Sequence, residues 1–183
     1  SQMPQNDVAR QQISDLKKLI DDTINSVRRI NSDLRPSLLD DIGLFAALEH
    51  QVKEFSRRTN IEFDLRFNMD EPQLDNNMSI GIFRIFQESL TNIVRHSEAK
   101  KVEAQLNQRS GRMELIITDN GKGFKISDGP INKTFGLLGM RERANMMNGT
   151  LKLESKLGKG TTLELSVPLD KNAKSRLQQR TKV

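Results

Sequence analysis

Four short polar clusters hold residue types that could do chemistry. In the first, Glu88 and Asn92 stand four residues apart, with Arg95 and His96 one turn further along. In a helix that spacing brings Glu88 and Asn92 onto one face. An asparagine amide oxygen is a hard ligand of the kind Mg²⁺ accepts when water and phosphates fill the rest of its shell. A glutamate one turn away can orient a water or accept a proton. Read alone, the pair fits a solvated polar face better than a site.

The second cluster is Asp119-Asn-Gly-Lys-Gly-Phe124, directly after an apolar run. A carboxylate at a strand end can accept a hydrogen bond from an exocyclic adenine amine. Gly121 and Gly123 open backbone conformations closed to other residues and let a flat ligand approach the chain. Asn-Gly is equally a common hairpin signal. The third is Phe135-Gly-Leu-Leu-Gly-Met-Arg-Glu-Arg-Ala144, where two glycines ahead of a helix can leave backbone N–H groups facing a phosphate. Arg141 and Arg143 could add positive charge there. The glycine spacing matches neither a Walker loop nor a dinucleotide fingerprint. The fourth, Gly158-Lys-Gly-Thr-Thr162, leads into the last apolar alternation and reads as a hairpin or as a hydroxyl set beside a base.

These clusters need a frame. Ile13, Ile20, Val27 and Leu34 fall on one heptad position and Leu16, Thr23 and Ile30 on another, which predicts a long helix with a packing seam. Pro36 ends it. Residues 37–43 read as a turn-rich connection, followed by an amphipathic helix carrying Leu44, Ala47, Leu48, Val52 and Phe55. Ile61, Phe63, Leu65 and Phe67 alternate as in a strand. Ile82, Ile85, Phe86, Leu90, Ile93 and Val94 recur at helical spacing and predict one helix over 78–97. Strands follow around 102–106 and 113–118. The Gly-rich stretch 119–137 is too long for a simple connection and marks a lid. A helix near 138–147 and strands at 150–154 and 162–168 complete the pattern, a helical module joined to an α/β sandwich.

Composition narrows the chemistry. The 183 residues contain no Cys, which removes disulfides, thiolate metal sites and cysteine nucleophiles, and only His50 and His96 as histidines. No apolar run reaches the roughly 20 residues of a membrane span, and no signal peptide is recognisable. The net charge of +5 would suggest a nucleic-acid partner. Yet residues 170–183 hold five basic groups against one acid, leaving 24 basic and 23 acidic groups in residues 1–169. With a near-neutral body and no Trp or Tyr to stack on bases, nucleic acid is not expected as a partner.

The order of the four clusters is more specific than any one of them. Glu-x-x-x-Asn on a helix, Asp-x-Gly-x-Gly-Phe after a strand, Gly-Leu-x-Gly-Met-Arg-Glu-Arg before a helix and Gly-x-Gly-Thr before the last strand resemble the N, G1 and G2 boxes of the GHKL, or Bergerat-fold, ATPases. Asp33-Leu-Arg-Pro-Ser-Leu-Leu-Asp-Asp-Ile-Gly-Leu44 and Glu88-Ser-Leu-Thr-Asn-Ile-Val-Arg-His96 resemble the nitrate-sensor/DesK-type subfamily of bacterial sensor histidine kinases. The resemblance covers about residues 8–169.

It implies an α+β fold: an α/β sandwich with a mixed sheet and helices on one face, preceded by a long N-terminal helix. Residues 1–36 would be the second helix of a dimerisation and histidine-phosphotransfer bundle, 37–169 the catalytic ATP-binding domain, and 170–183 a basic, disordered tail. Asn92 would coordinate Mg²⁺ and Glu88 would position water or the incoming nucleophile as the catalytic residue. Arg95 (often Lys in the family) and His96 would lie near the phosphates. Asp119 would read adenine, with Gly121 and Gly123 shaping the pocket and Thr161 supporting it. Residues 122–138 would form the ATP lid, and Gly136, Leu137, Gly139 and Met140 would complete the ATP-binding set.

The implied activity is ATP-dependent phosphorylation of a histidine, relayed to an aspartate on a response-regulator receiver domain. The full-length protein would be a homodimeric phosphoprotein, with this domain in the cytoplasm and the parent attached to the inner membrane. One departure bears on the reaction. The family's acceptor histidine lies on the first bundle helix and precedes an acidic residue, whereas His50 precedes Gln51 and His96 lies inside the nucleotide box. The chain therefore reads as a fragment of a longer kinase, able to bind nucleotide but not to phosphorylate itself. A non-catalytic dimerisation scaffold with a degenerate pocket and a protein-serine kinase or ATPase of the same superfamily are the alternatives.

Overall fold

The computed structural model describes residues 37–125 and 135–169. The heptad helix, the centre of the lid and the basic tail of the sequence reading lie outside them.

Helix α1 (Ser37–Thr59) opens the described chain and is interrupted once, at Gly43, whose φ of 81° and ψ of 174° are not helical. Residues 37–42, expected as a turn-rich connection, are thus helical, and glycine's tolerance of positive φ confines the change of direction to one residue. Strand β1 (Glu62–Asn68) follows. Helix α2 (Asn76–Asn92) starts at Asp75, whose carboxylate accepts from Met78 N at 2.8 Å as an N-cap. A π-helical turn (Ile93–Ser97) continues from α2, where the sequence predicted regular helix to Ser97. The Ser97 hydroxyl donates to Ile93 O at 2.8 Å, a back-bond of the sort that disturbs the main-chain ladder. Strands β2 (Lys101–Arg109) and β3 (Arg112–Asp119) form a hairpin with Ser110 and Gly111 both at positive φ in its turn. Helix α3 (Phe135–Met146) begins earlier than expected, so residues 135–138 of the anticipated lid are helical. Strands β4 (Thr150–Ser155) and β5 (Thr161–Pro168) close the chain.

The sheet runs β1-β2-β3-β5-β4. β1 and β2 are parallel, joined through α2, while all other pairs are antiparallel. Each central strand alternates. Val102, Ala104, Leu106, Met113, Leu115, Ile117, Leu163, Leu165 and Val167 are buried on one face, with α2's Ile82, Ile85, Phe86 and Leu90 and α1's Ala47 and Leu48 in the same core. Most intervening residues, Glu103, Gln105, Glu114, Thr118 and Glu164 among them, are left partly or fully exposed, while Ser166 is buried. Fully burying one large aliphatic side chain is worth roughly 1.5–3 kcal/mol, so this alternation fixes both register and the helix-bearing face. No helix among the described residues is long and apolar enough to cross a membrane. The α+β sandwich with a mixed five-stranded sheet is the fold the sequence led us to expect.

Candidate functional site

The sheet register sets the centre of the site. Asp119, the last residue of β3, is paired across the ladder with Thr161, the first of β5. Its side chain is only 4% exposed. Gly121 N donates to Asp119 Oδ1 at 2.8 Å, and both the hydroxyl and the backbone N–H of Thr161 donate to the same carboxylate. Burial pushes the Asp119 carboxyl above the ordinary aspartate range, and these three donors oppose the rise without cancelling it. A carboxylate kept out of water at a strand end marks Asp119 as a candidate ligand-binding group.

Glycines let three loops converge on that carboxylate. A Cβ on Gly121 would fall 2.1 Å from Ser97 O, and one on Gly123, at φ 56°, 2.1 Å from Lys156 O. Gly160, at φ 75°, leaves no more room, since a Cβ there would lie 1.8 Å from Asp119 O. Two serines tie the loops together. Ser155 Oγ accepts from Phe124 N and lies 3.0 Å from both Gly160 O and Thr161 Oγ1. Ser97 O accepts from Lys122 N at 2.7 Å, which joins the end of the π turn to the loop that follows Asp119. Gly160, Ser155 and Ser97 were missing from the sequence-derived site. The Gly-x-Gly-Thr string pointed to Gly160, but nothing local distinguishes the two serines.

The second side of the site is α2 and its π turn. Glu88 and Asn92 are both partly buried on α2, whereas Arg95 and His96 are exposed on the wider turn. The π turn offsets Arg95 and His96 from the α-helical line through Glu88 and Asn92, and such turns recur at functional sites.

Helix α3 forms the third side. A Cβ on Gly136 would sit 2.3 Å from Glu88 Oε1, so the glycine leaves its side-chain space to the carboxylate. That oxygen lies at the first turn of α3, the end a helix dipole makes favourable for negative charge. Gly139 leaves similar room for Arg143, whose Nη2 would be 3.3 Å from a Cβ there. Leu137 packs partly buried against the core. Met140 is fully buried, with its sulfur 3.8 Å from Ser89 Oγ of α2. The structure thus brings Asp119, Gly121, Gly123 and Thr161 together, and separately Glu88 with Gly136.

Residues 77–171 match the family described as histidine kinase-, DNA gyrase B-, and HSP90-like ATPase. The signal transduction histidine-protein kinase/phosphatase DegS of Brevibacillus brevis is 36% identical over 163 residues, which is 89% of this chain and 42% of that protein. The oxygen sensor histidine kinase NreB of Staphylococcus carnosus is 35% identical over 84% of this chain and 43% of its own length. The chain therefore spans less than half the length of these two relatives. In three dimensions the histidine kinase domain of the blue-light activated kinase of Erythrobacter litoralis EL346 superposes with a TM-score of 0.60 at 19% identity, over 72% of this chain and 63% of that one. Sequence match, homology to sensor histidine kinases and fold agree: the chain belongs to the histidine kinase-, DNA gyrase B- and HSP90-like ATPases.

Proposed function

We propose that this chain is the ATP-binding, phosphoryl-donating part of a cytoplasmic sensor histidine kinase. The observation that carries the reading is Asp119, a carboxylate held nearly out of solvent by Gly121 and Thr161 at a convergence of glycine-built loops. Its free acceptor capacity suits the exocyclic amine of adenine, and Gly121, Gly123 and Gly160 let the surrounding loops close around that carboxylate. The triphosphate then extends toward α2 and the first turn of α3, where Arg95 and His96 supply donors and Glu88 orients the incoming nucleophile.

The donor set also fits Mg²⁺. Among the described residues no group of three or more His, Asp or Glu forms a ready cage. Mg²⁺ commonly uses one or two protein ligands and completes its octahedron with water and phosphate oxygens, a role Asn92's amide oxygen can fill. When bound, Mg²⁺ neutralises part of the triphosphate charge.

In the transfer step a ring nitrogen of the acceptor histidine bonds to the γ-phosphorus as the bond between that phosphorus and the β,γ-bridging oxygen breaks, and the oxygen leaves on the β-phosphate of ADP. Neither histidine of this chain suits the acceptor role: His50 is exposed on α1 beside Gln51, and His96 belongs to the nucleotide-binding turn. The acceptor would lie outside residues 1–183, in a homodimeric parent, and its phosphoryl group would pass to a receiver-domain aspartate.

Calorimetry with ATP, with and without Mg²⁺, is the first test, followed by labelled ATP with and without an added acceptor bundle. We expect Mg²⁺-dependent binding and phosphohistidine on the acceptor only. Absence of binding at millimolar ATP overturns the reading, and acid-stable phosphoserine on an added protein would favour a serine kinase.

A further inference from the structure

Asn120 has no role in the site as described so far, yet its side chain closes a gap at the end of the sheet. The β2–β3 ladder ends with Val102 opposite Asp119, and Asn120 N continues it by donating to Lys101 O at 3.2 Å. In an antiparallel pair the reciprocal bond would run from Lys101 N to the Asn120 main-chain oxygen. Lys101 N donates to the Asn120 side chain instead, at 2.9 Å, and Lys100 N donates to the same Oδ1, also at 2.9 Å. The side-chain oxygen stands in for the main-chain one, so the chain can leave the sheet at Gly121 with both N–H groups still paired.

Two further contacts join the same two stretches. Lys122 N donates to Ser97 O at 2.7 Å, and a Cβ at position 121 would be 2.1 Å from that oxygen, so the approach needs Gly121. Lys122 Nζ reaches Glu98 Oε1 at 2.7 Å, an exposed pair that adds little. From Ser97 the ties run back into the π turn. Its hydroxyl accepts from Ala99 N at 3.1 Å and donates to Ile93 O at 2.8 Å. Arg95 and His96 stand between those two ends of the turn.

We infer that Asn120 is a positioning residue for the π turn: by taking up the N–H groups of Lys100 and Lys101, it holds the segment that carries Arg95 and His96 in fixed register with Asp119. The functional part rests on the proposed kinase reading, whereas the clamp itself rests on the bonds above. In that reading Asp119 meets the base and the π turn meets the phosphates, so the clamp sets the span between two halves of one ligand. A span fixed beforehand lets the second half bind without a fresh ordering cost. Asn120 on this account does not touch the nucleotide.

Two measurements on the whole chain test the clamp and its function separately. The first needs no ligand: amide hydrogen exchange in wild type, Asn120→Ala and Asn120→Asp. Asn120→Ala should speed exchange at Arg95, His96 and Ser97 about tenfold, and by more than at Leu115 and Ile117 of β3. Asn120→Asp keeps the acceptor oxygen and should restore protection. Acceleration confined to Lys100 and Lys101, equal acceleration in β3, or an Asp variant as fast as the Ala variant overturns the clamp. The second compares adenosine with ATP and Mg²⁺. Asn120→Ala should weaken ATP about fivefold while adenosine stays within about twofold of wild type, and Asn120→Asp should recover most of the ATP loss. Equal losses for both ligands place the fault at Asp119 and overturn the positioning role. Failure of the wild type to bind either ligand overturns the kinase reading and the functional part with it, and leaves the exchange result to decide the clamp. Should Asn120→Ala not fold, Asn120→Ser, whose side chain is too short to hold both N–H groups, is expected to show the same exchange and affinity pattern; wild-type behaviour there also overturns the inference.

Discussion

Gly160 is pressed against the backbone of Asp119: a Cβ on the glycine would lie 1.8 Å from the aspartate's carbonyl oxygen, while φ at Gly160 is 75°. Two residues earlier Gly158 has a similar φ of 71° but nothing within 4 Å of its missing Cβ. The pair separates backbone strain from close approach. Gly158→Ala should cost only the left-handed penalty of about 1–2 kcal/mol. Gly160→Ala should cost clearly more, because main chain and not a flexible side chain must move. It should also lower ATP affinity, because the loop behind Asp119 can no longer seat. Urea unfolding and calorimetry on both variants check this; equal stabilities would show that the close approach is relieved elsewhere.

Asp119 should set a pH dependence of opposite sign to that of a salt-bridged carboxylate. Its folded-state pKa is raised by burial, so from about pH 4 upward the folded chain holds this proton longer than the unfolded chain does. Stability then falls as pH rises through that window and levels off above the folded value. Subtracting the unfolding curve of Asp119→Asn from that of wild type isolates the effect: the difference should move against wild type as pH rises, then flatten. The same variant should bind ATP about 10–100-fold more weakly, since an amide group left facing a donor costs about 1–3 kcal/mol. A wild-type advantage that grows with pH would refute the assignment of burial as the dominant cause.

Much of this was legible in the chain itself, for identifiable reasons. Period-two burial in β2, β3 and β5 follows from a sheet covered on one face, so the alternation of Val102, Ala104 and Leu106 with polar residues was already a structural statement. Asp119, Gly121, Gly123 and Thr161 stood out because each belongs to a short string, Asp-x-Gly-x-Gly-Phe or Gly-x-Gly-Thr, although what constrains them lies elsewhere in the chain: Ser97 O for Gly121, Lys156 O for Gly123 and the cross-strand pairing for Asp119 and Thr161. Gly160's contact with Asp119 spans some forty residues, and Ser97 and Ser155 act through one hydroxyl or carbonyl whose partner only tertiary structure reveals. The π turn was invisible for the same reason: Ile93 and Val94 continue the apolar helical spacing, while the Ser97 back-bond that accompanies the wider turn carries no pattern. Met140 entered the site reading with its motif, whereas its packing against Ser89 Oγ at 3.8 Å carries no signal in the sequence.

Asn92 should separate metal from nucleotide. Asn92→Ala removes the amide oxygen proposed for Mg²⁺ while leaving Asp119 and its glycines untouched. ATP affinity measured with Mg²⁺ should fall about tenfold, and affinity measured with a chelator should stay within about twofold of wild type. Equal losses under both conditions would mean that Asn92 contacts the nucleotide directly and that the ion is held by other groups.

Glu71 and Phe45 give a prediction that concerns stability alone. The second half of α1 begins after Gly43, and its exposed N-terminal N–H groups need acceptors. Glu71, from the loop after β1, supplies one for Phe45 N, with Oε1 at 3.0 Å across 26 positions of sequence. The carboxylate also lies where the dipole of that half-helix favours negative charge. Glu71→Ala should therefore cost about 1 kcal/mol, as loss of an N-cap does, while Glu71→Gln keeps the acceptor oxygen and should lose only the smaller charge contribution. Gly43→Ala meets both a φ of 81° and a Cβ contact of 2.8 Å with the same Glu71 oxygen. The double variant Gly43→Ala/Glu71→Ala should then be less destabilised than the sum of the singles, because removing Glu71 also removes the clash. Strict additivity in denaturant unfolding, or a neutral Glu71→Ala, would show that water caps Phe45 as well as Glu71 does.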